Sequence, residues 1–351
     1  MENRVQKPEQ QEEIPFFGGK KRYRAFSDHL KELFGEKVYR VTLDAGFTCP
    51  NRDGLLTYGG CTFCDERGSG PRAYDAAVAI REQLRQGMEA MRRRYKARKF
   101  IAYFQAFTNT YAPPEVLDKI YSQVIDQEDI VGLSVGTRPD CVPEPVLDIL
   151  EKYAERLYFW VEYGIQSAHF KTLKLINRAH GLSHFIDAVL RTKKRKGIRI
   201  CTHVILGLPG ETREEMMETA KIIAALGLDG IKIHLLHILK GTAMAKQYAR
   251  GELRVLALEE YVDLVCEFLE YLPPQMLIHR LTGEGPRDIH IAPDWALDKA
   301  RVLARIDQEL ERRQTYQGAK YGFSVDLQRV LPSPNYPSTS PDKFIDREPG
   351  L

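Results

Sequence analysis

Leu157–Gly164 reads LYFWVEYG, an apolar, aromatic run with a single carboxylate, Glu162, inside it. A run this short and this rich in aromatic and β-branched residues is a buried strand rather than a helix. A carboxylate on such a strand needs a partner, because an unpaired buried charge is strongly unfavourable. Working outward, the same kind of run recurs on both sides: Val38–Leu43, Lys99–Gln105, Ile130–Gly136, Ile198–Gly207 and Gly230–Leu239, with a seventh at Met276–Leu281. Between them lie helical patterns: Asp75–Arg98, Pro114–Ile125, Pro145–Glu155, Ala168–Asn177, Ser183–Lys196, Thr212–Leu226, and segments up to Tyr271. Apolar strands alternating with amphipathic helices give a parallel sheet covered by helices. The expected fold is therefore α/β, a partial or full TIM-type (β/α) barrel of about six parallel strands, with an open doubly wound sheet as the alternative.

In such folds the active site lies at the carboxyl ends of the strands. Those ends are polar throughout. The second strand runs into Gln105, Thr108, Asn109 and Tyr111, and the third into Thr137, Arg138 and Asp140. The fourth carries Glu162 and ends at Gln166 and Ser167. The fifth contains His203 and ends in the turn GLPGET, and the sixth carries His234 and His237. Singly, each reads as a turn residue, a local ion pair or a satisfied core histidine. Their recurrence at every strand end points to a large, ligand-filled mouth.

The first strand leads into CPNRDGLLTYGGCTFC, which places Cys49, Cys61 and Cys64 at C-x11-C-x2-C spacing. The short step lets Cys61 and Cys64 close on one metal centre, and the long one loops Cys49 back to it. Three thiolates without an evident fourth leave one iron of a [4Fe–4S] cluster open to a substrate or cofactor. A structural zinc ion would need a fourth ligand, from Asp65 or a distant histidine, and ranks below the cluster. Cys141, Cys201 and Cys266 read as buried thiols.

The 351 residues are 43% hydrophobic with a net charge of +3, enough to bury a large core. No apolar run reaches membrane-spanning length. The polar opening residues lack a secretory h-region, so the expected location is cytoplasmic and a disulfide is disfavoured. The expected organisation is an N-terminal extension (1–35), the β/α core (36–285), a helical segment (286–330) and a disordered, Pro- and Ser-rich tail (331–351). Basic runs at Arg81–Lys99, at Lys193–Lys196 and at Arg312–Arg313 read either as solvated helix faces or as phosphate-binding surfaces.

Taken in chain order, FTCPNRDG with GGCTFC, YFQAFTNTY, SVGTRPDC, VEYGIQS, LKLINRAH, HVILGLPGET and KIHLLHILKGT resemble the radical S-adenosylmethionine (radical SAM) superfamily over roughly Val38–Leu281. The usual spacing there is C-x3-C-x2-C. The expanded first interval resembles the branch containing the Elongator catalytic subunit and bacterial relatives. The resemblance implies a [4Fe–4S] cluster on Cys49, Cys61 and Cys64, and SAM chelating the open iron. Reductive cleavage would then give a 5′-deoxyadenosyl radical. It further implies SAM contacts from Gln105, Thr108 and Asn109 at the amino group, and from Glu162 and Gln166 near the ribose, the two also being the candidate catalytic residues. Arg178 would reach the carboxylate, and Ile205, Leu206 and Phe63 the adenine. The chain is too short after Leu281 for the acetyltransferase domain of the Elongator subunit. The implied substrate is tRNA, at the side chain of the wobble uridine, with a flavodoxin or ferredoxin as electron donor. A small metabolite or tetrapyrrole is the second choice. Readings of other classes are a non-catalytic iron–sulfur or zinc RNA-binding protein, and a barrel hydrolase using Glu162 and the histidines.

Overall fold

The computed structural model describes residues 17, 21–68, 79–283 and 285–322. The chain divides into Met1–Tyr321 and Gly322–Leu351. The second unit, beyond Gly322, lies outside the described residues, as do most of the N-terminal lead and the start of the helix expected from Asp75.

The elements run α1 (Phe26–Phe34), β1 (Val38–Leu43), α2 (Ile80–Tyr95), β2 (Lys99–Phe104), α3 (Pro114–Ile125), β3 (Ile130–Thr137), α4 (Glu144–Ala154) and β4 (Tyr158–Gln166). They continue with α5 (Phe170–Leu175), α6 (Leu182–Thr192), β5 (Ile198–Leu206), α7 (Arg213–Ala225), β6 (Gly230–Leu235), β7 (Ile238–Leu239) and α8 (Ala243–Ala249). The last are α9 (Leu258–Tyr271), β8 (Leu277–Arg280), β9 (His290–Ala292) and α10 (Lys299–Arg312). Seven strands form one parallel sheet in the order β1-β2-β3-β4-β5-β6-β8.

The sheet curls into a half-barrel. Its edge strands β1 and β8 do not pair with each other, yet Arg40 on β1 meets His279 Nδ1 on β8 at 2.8 Å. Strand alternation splits the side chains between two faces. One face packs against the helices in the main core, which includes Leu84 and Met88 of α2 and Val302, Ile306 and Leu310 of α10. The other face lines the barrel. Its lowest layer is Ile101, Trp160, Cys201 and Leu277, plugged from beneath by Phe26 and Leu30 of α1. The Phe26 ring stacks on His279 at 3.8 Å and meets Trp160 edge-on at 5.4 Å. Two residues further along each strand the lining turns polar, with Tyr103, Glu162 and His203 above Ile101, Trp160 and Cys201.

The sixth strand is shorter than its sequence suggests. It ends at Leu235, and Ile238–Leu239 turns away to pair antiparallel with β9. The cause is the doublet pattern LL-H-IL. Leu235 joins the main core, whereas Leu236 and Ile238 are buried in a second small core with Leu208, Met244 and Ala292. One straight strand cannot serve both. The helical segment expected over 286–330 holds a single 3₁₀ turn at Asp294–Leu297 and α10, whose first turn is capped by Asp298 accepting from Arg301 N at 3.0 Å.

Candidate active site

A cavity of about 860 Å³ opens at the carboxyl ends of the strands. Cys49, Cys61 and Cys64 all lie on its wall. The long interval between the first two is a small self-supporting lobe. Cys49 O accepts from Arg52 N at 2.8 Å, Leu56 N donates to Pro50 O at 2.9 Å, and Gly60 N donates to Asn51 O at 2.8 Å. Gly60 sits at φ +82°, a left-handed conformation in which a Cβ would also press on the Arg52 side chain at 3.0 Å. The turn closes with Cys64 N donating to Cys61 O at 2.9 Å.

The segment after α5 clamps this lobe. Thr62 N donates to Ile176 O at 3.0 Å, and Asn177 Nδ2 donates to Gly60 O at 2.8 Å. The wholly buried Asn51 donates from Nδ2 to Asn177 O at 2.6 Å and to Cys61 Sγ at 3.5 Å. Arg178 adds a second donor to Cys61 Sγ at 3.5 Å and donates to Gly164 O at 2.5 Å, which ties the lobe to β4. Its Nε donates to His180 Nε2 at 2.8 Å, and burial together with the Arg178 charge pushes His180 down to about 2. Arg138 closes the chain of contacts, donating to Arg178 O at 3.0 Å and pairing with Asp140 at 2.7 Å.

The cavity floor is a charged network. Glu162 Oε1 accepts from Ser134 Oγ at 2.6 Å, and Oε2 meets His203 Nε2 at 2.7 Å and pairs closely with Lys232 Nζ. Lys232 also reaches Tyr103 OH at 2.9 Å. Burial works against the Glu162 carboxylate, but Lys232 and His203 outweigh it and hold its pKa well below the usual range. Burial brings Lys232 down to about 7, despite the opposing pull of Glu162, and brings His203 down to about 4.

Of the residues expected from the sequence, Phe63, Gln105, Thr108, Glu162, Gln166, Arg178 and Ile205 join the cysteines around this cavity. Both oxygens of Glu162 already hold protein partners. Asn109 and Leu206 are not brought to the cavity wall. Asn109 is wholly buried, its side-chain Nδ2 donating to Gly136 O at 2.9 Å and its backbone carbonyl accepting from Tyr121 OH. Leu206 alternates with Ile205 on β5 and so falls in the core on the other face. Cys141 is buried and does not line the cavity; burial and Asp140 push its thiol up to about 12.

Sequence reasoning missed Asn51, Lys232, and the turn Thr282, Gly283 and Gly285 beyond β8, all but Asn51 on the cavity wall. Lys232 was legible as a charge two residues before His234 on an apolar strand. The Thr-Gly-Glu-Gly-Pro run was legible as one more polar strand end. Several side chains of the basic runs are engaged with carboxylates. Arg85 pairs with Glu82 and Glu89, and Arg195 with Glu144, Asp148 and Glu151. Arg312 and Arg313 both pair with Glu309.

This barrel, with three free thiols at the ends of its parallel strands, meets two adjoining family descriptions. Residues 49–223 match the radical SAM superfamily and residues 228–312 the radical SAM C-terminal domain. The chain belongs to the radical SAM superfamily and is an enzyme of that class, whose cofactors are a [4Fe–4S] cluster and SAM. It is 50% identical over 305 residues to the protein YtqA of Bacillus subtilis (strain 168), covering 87% of this chain and 94% of that protein. It is 27% identical over 163 residues to the tRNA uridine(34) acetyltransferase of Methanocaldococcus infernus, covering 45% of this chain and 30% of that protein. The solved structure of Elp3 from Methanocaldococcus infernus, lacking its N-terminus, has the same fold, with a TM-score of 0.59 at 20% identity over 80% of this chain and 64% of that one.

The donor set suits such a cluster. Three thiols line the cavity, and among the described residues no fourth cysteine does. Two N–H donors already point at the Cys61 sulfur, as sulfurs carrying cluster charge require. Thr108 Oγ1 is buried at the cavity without a partner, a vacancy that a polar cofactor group fills. Among the described residues no helix is long and apolar enough to cross a membrane.

Proposed function

We propose that this enzyme remodels the side chain of a wobble uridine in tRNA by radical chemistry, drawing electrons from a flavodoxin- or ferredoxin-type donor. The observation that carries the reading is the single large mouth: three thiols on one wall, and a floor of fixed polar groups beneath. Its volume lies near the upper end of ligand pockets, which suits SAM together with one extruded nucleotide rather than a whole RNA helix. The partial likeness to a tRNA uridine(34) acetyltransferase supports the choice of nucleotide.

The cofactors, when bound, supply one-electron cleavage of SAM, the source of a hydrogen-abstracting radical. The protein's part is to bind, orient and exclude. Cys49, Cys61 and Cys64 hold the cluster, and Asn51 and Arg178 donate to Cys61. Gln105 and Thr108 take the amino-acid end of SAM, Gln166 the ribose, and Phe63 and Ile205 the adenine. Glu162, tied to Ser134, His203 and Lys232, fixes the floor and sets the Lys232 ammonium beneath the substrate.

The test is anaerobic. Protein reconstituted with iron and sulfide is mixed with SAM and dithionite, and 5′-deoxyadenosine is measured against a variant lacking the three cysteines. Bulk tRNA from cells without the enzyme is then added and its nucleosides are compared. Formation of 5′-deoxyadenosine together with an altered wobble nucleoside supports the reading. Cleavage that leaves every tRNA nucleoside unchanged overturns the choice of substrate.

A further inference from the structure

The floor uses only one side of the His203 ring. Nε2 lies 2.7 Å from Glu162 Oε2, and Lys232 helps to hold that carboxylate ionised. An ionised carboxylate can only accept, so Nε2 is the nitrogen that carries the proton. Burial and the Lys232 charge bring His203 down to about 4, so at neutral pH the ring holds no second proton. Nδ1 is therefore a bare acceptor, and the carboxylate behind the ring fixes that tautomer. Among the described residues no donor reaches Nδ1, and the side chain, 19% exposed, lines the cavity.

Beside it stands a ring with the opposite offer. His234 on β6 also lines the cavity, and its ring centre lies 5.4 Å from that of His203. Its Nε2 is buried without a partner. Burial and the Arg280 charge keep this ring neutral, so it carries one N–H to give. Buried polar groups in native proteins are nearly always satisfied, so an unanswered ring nitrogen on a cavity wall points to a ligand contact.

The pair selects by hydrogen-bond polarity rather than by charge. A fixed acceptor next to a neutral donor matches an edge on which an N–H adjoins an acceptor, as in an amide or an imide. A carboxylate or a phosphate would set lone pairs against the bare Nδ1. Among the bases that offer such an edge, the wobble-uridine reading selects uracil, whose N3–H lies beside a carbonyl oxygen.

Resting on that reading, we propose that His203 and His234 are the base-reading pair of the substrate site, His203 Nδ1 accepting from uracil N3–H and His234 donating to the adjoining carbonyl oxygen. Glu162 is then a positioning residue, which acts by holding the His203 tautomer.

The test uses the reconstituted holoenzyme carrying isotope-labelled histidine, with SAM present and no reductant. Ring nitrogen signals, assigned by substitution, are followed by NMR while uridine or N3-methyluridine is added. His203 is expected to show a protonated Nε2 and a bare Nδ1 at neutral pH. Uridine should move the His203 and His234 signals saturably, and N3-methyluridine, which has no ring proton to give, should bind about tenfold more weakly. His203→Gln keeps a donor for Glu162 and a carbonyl acceptor, so the preference for uridine survives. His203→Leu keeps neither, so the preference vanishes. A purely structural histidine would instead weaken both nucleosides alike. A protonated Nδ1, equal affinity for the two nucleosides, or rings already saturated by SAM alone overturns the pair. The same preparation, with dithionite added, is then given bulk tRNA from cells without the enzyme. An altered wobble nucleoside with silent histidines sinks only the pair, whereas uridine-selective shifts with every tRNA nucleoside unchanged sink only the choice of tRNA.

Discussion

On the floor of the cavity Glu162 accepts from Ser134, His203 and Lys232, while one step further along β6 His234 and its neighbour His237 bring ring nitrogens to the same space with no partner. Both sets are buried and polar, and both sit on strand ends of one sheet. The floor is closed around Glu162, which serves to fix geometry. The histidine wall is open, and its groups have no partner among the described residues. The thiol wall stands between these extremes: all three thiols face the cavity, and Cys61 has two donors. Which polar atoms are answered from within distinguishes scaffold from site better than burial does.

The comparison breaks most visibly at the thiols. Changing any of Cys49, Cys61 or Cys64 to Ala is expected to abolish cluster-bound iron and 5′-deoxyadenosine formation together, as metal analysis and chromatography would show. Next in size is the floor. Glu162→Ala strands the Lys232 ammonium in the interior and is expected to cost about 3–5 kcal/mol in urea unfolding. The double change Glu162→Gln with Lys232→Met should recover most of that loss, and failure to recover would mean that packing, not charge, holds the floor.

Acid sharpens the contrast further. His203 and His237 are brought to about 4, chiefly by burial, from an ordinary 6.5. Between those values the unfolded chain binds protons that the folded chain refuses. Stability is therefore complete above about pH 6.5 and falls towards pH 4, by up to about 1.4 kcal/mol per pH unit for each ring. His237→Gln should flatten this slope by one proton, measured as unfolding free energy against pH. A smaller effect is expected for Asn51→Ala, about 1–3 kcal/mol in stability. It should also move the cluster's midpoint potential to a more negative value, because a donor to Cys61 is lost. Least of all, Arg85→Ala on the basic face of α2 should leave stability, and binding of the tRNA substrate proposed above, unchanged, since Glu82 and Glu89 already neutralise it.

The sheet was legible because its strands are near-continuous apolar runs, from Val38–Leu43 to Met276–Leu281, and all seven are found in order. Where two cores compete for one run, as at Leu235–Leu239, periodicity gives no warning. The thiols were legible from spacing alone. The floor was half legible: Glu162 declared that it needed a partner, but the partner lies 70 residues away on β6, and long-range pairing leaves no local mark. The same holds for Asn51 with Asn177 and for His237 with His290. Asn109 and Leu206 show the reverse limit. A motif places a residue near a ligand, but strand alternation and backbone hydrogen bonding decide whether its side chain arrives there.

Phe26 and Leu30 stop the lower end of the half-barrel, so traffic passes through the mouth. One doorway imposes a queue. A small cofactor must be seated before a macromolecule covers the opening, and its cleavage fragments must wait until that macromolecule departs. On the tRNA substrate proposed above, steady-state kinetics should then be ordered, with SAM first on, and excess tRNA should inhibit by arriving too early.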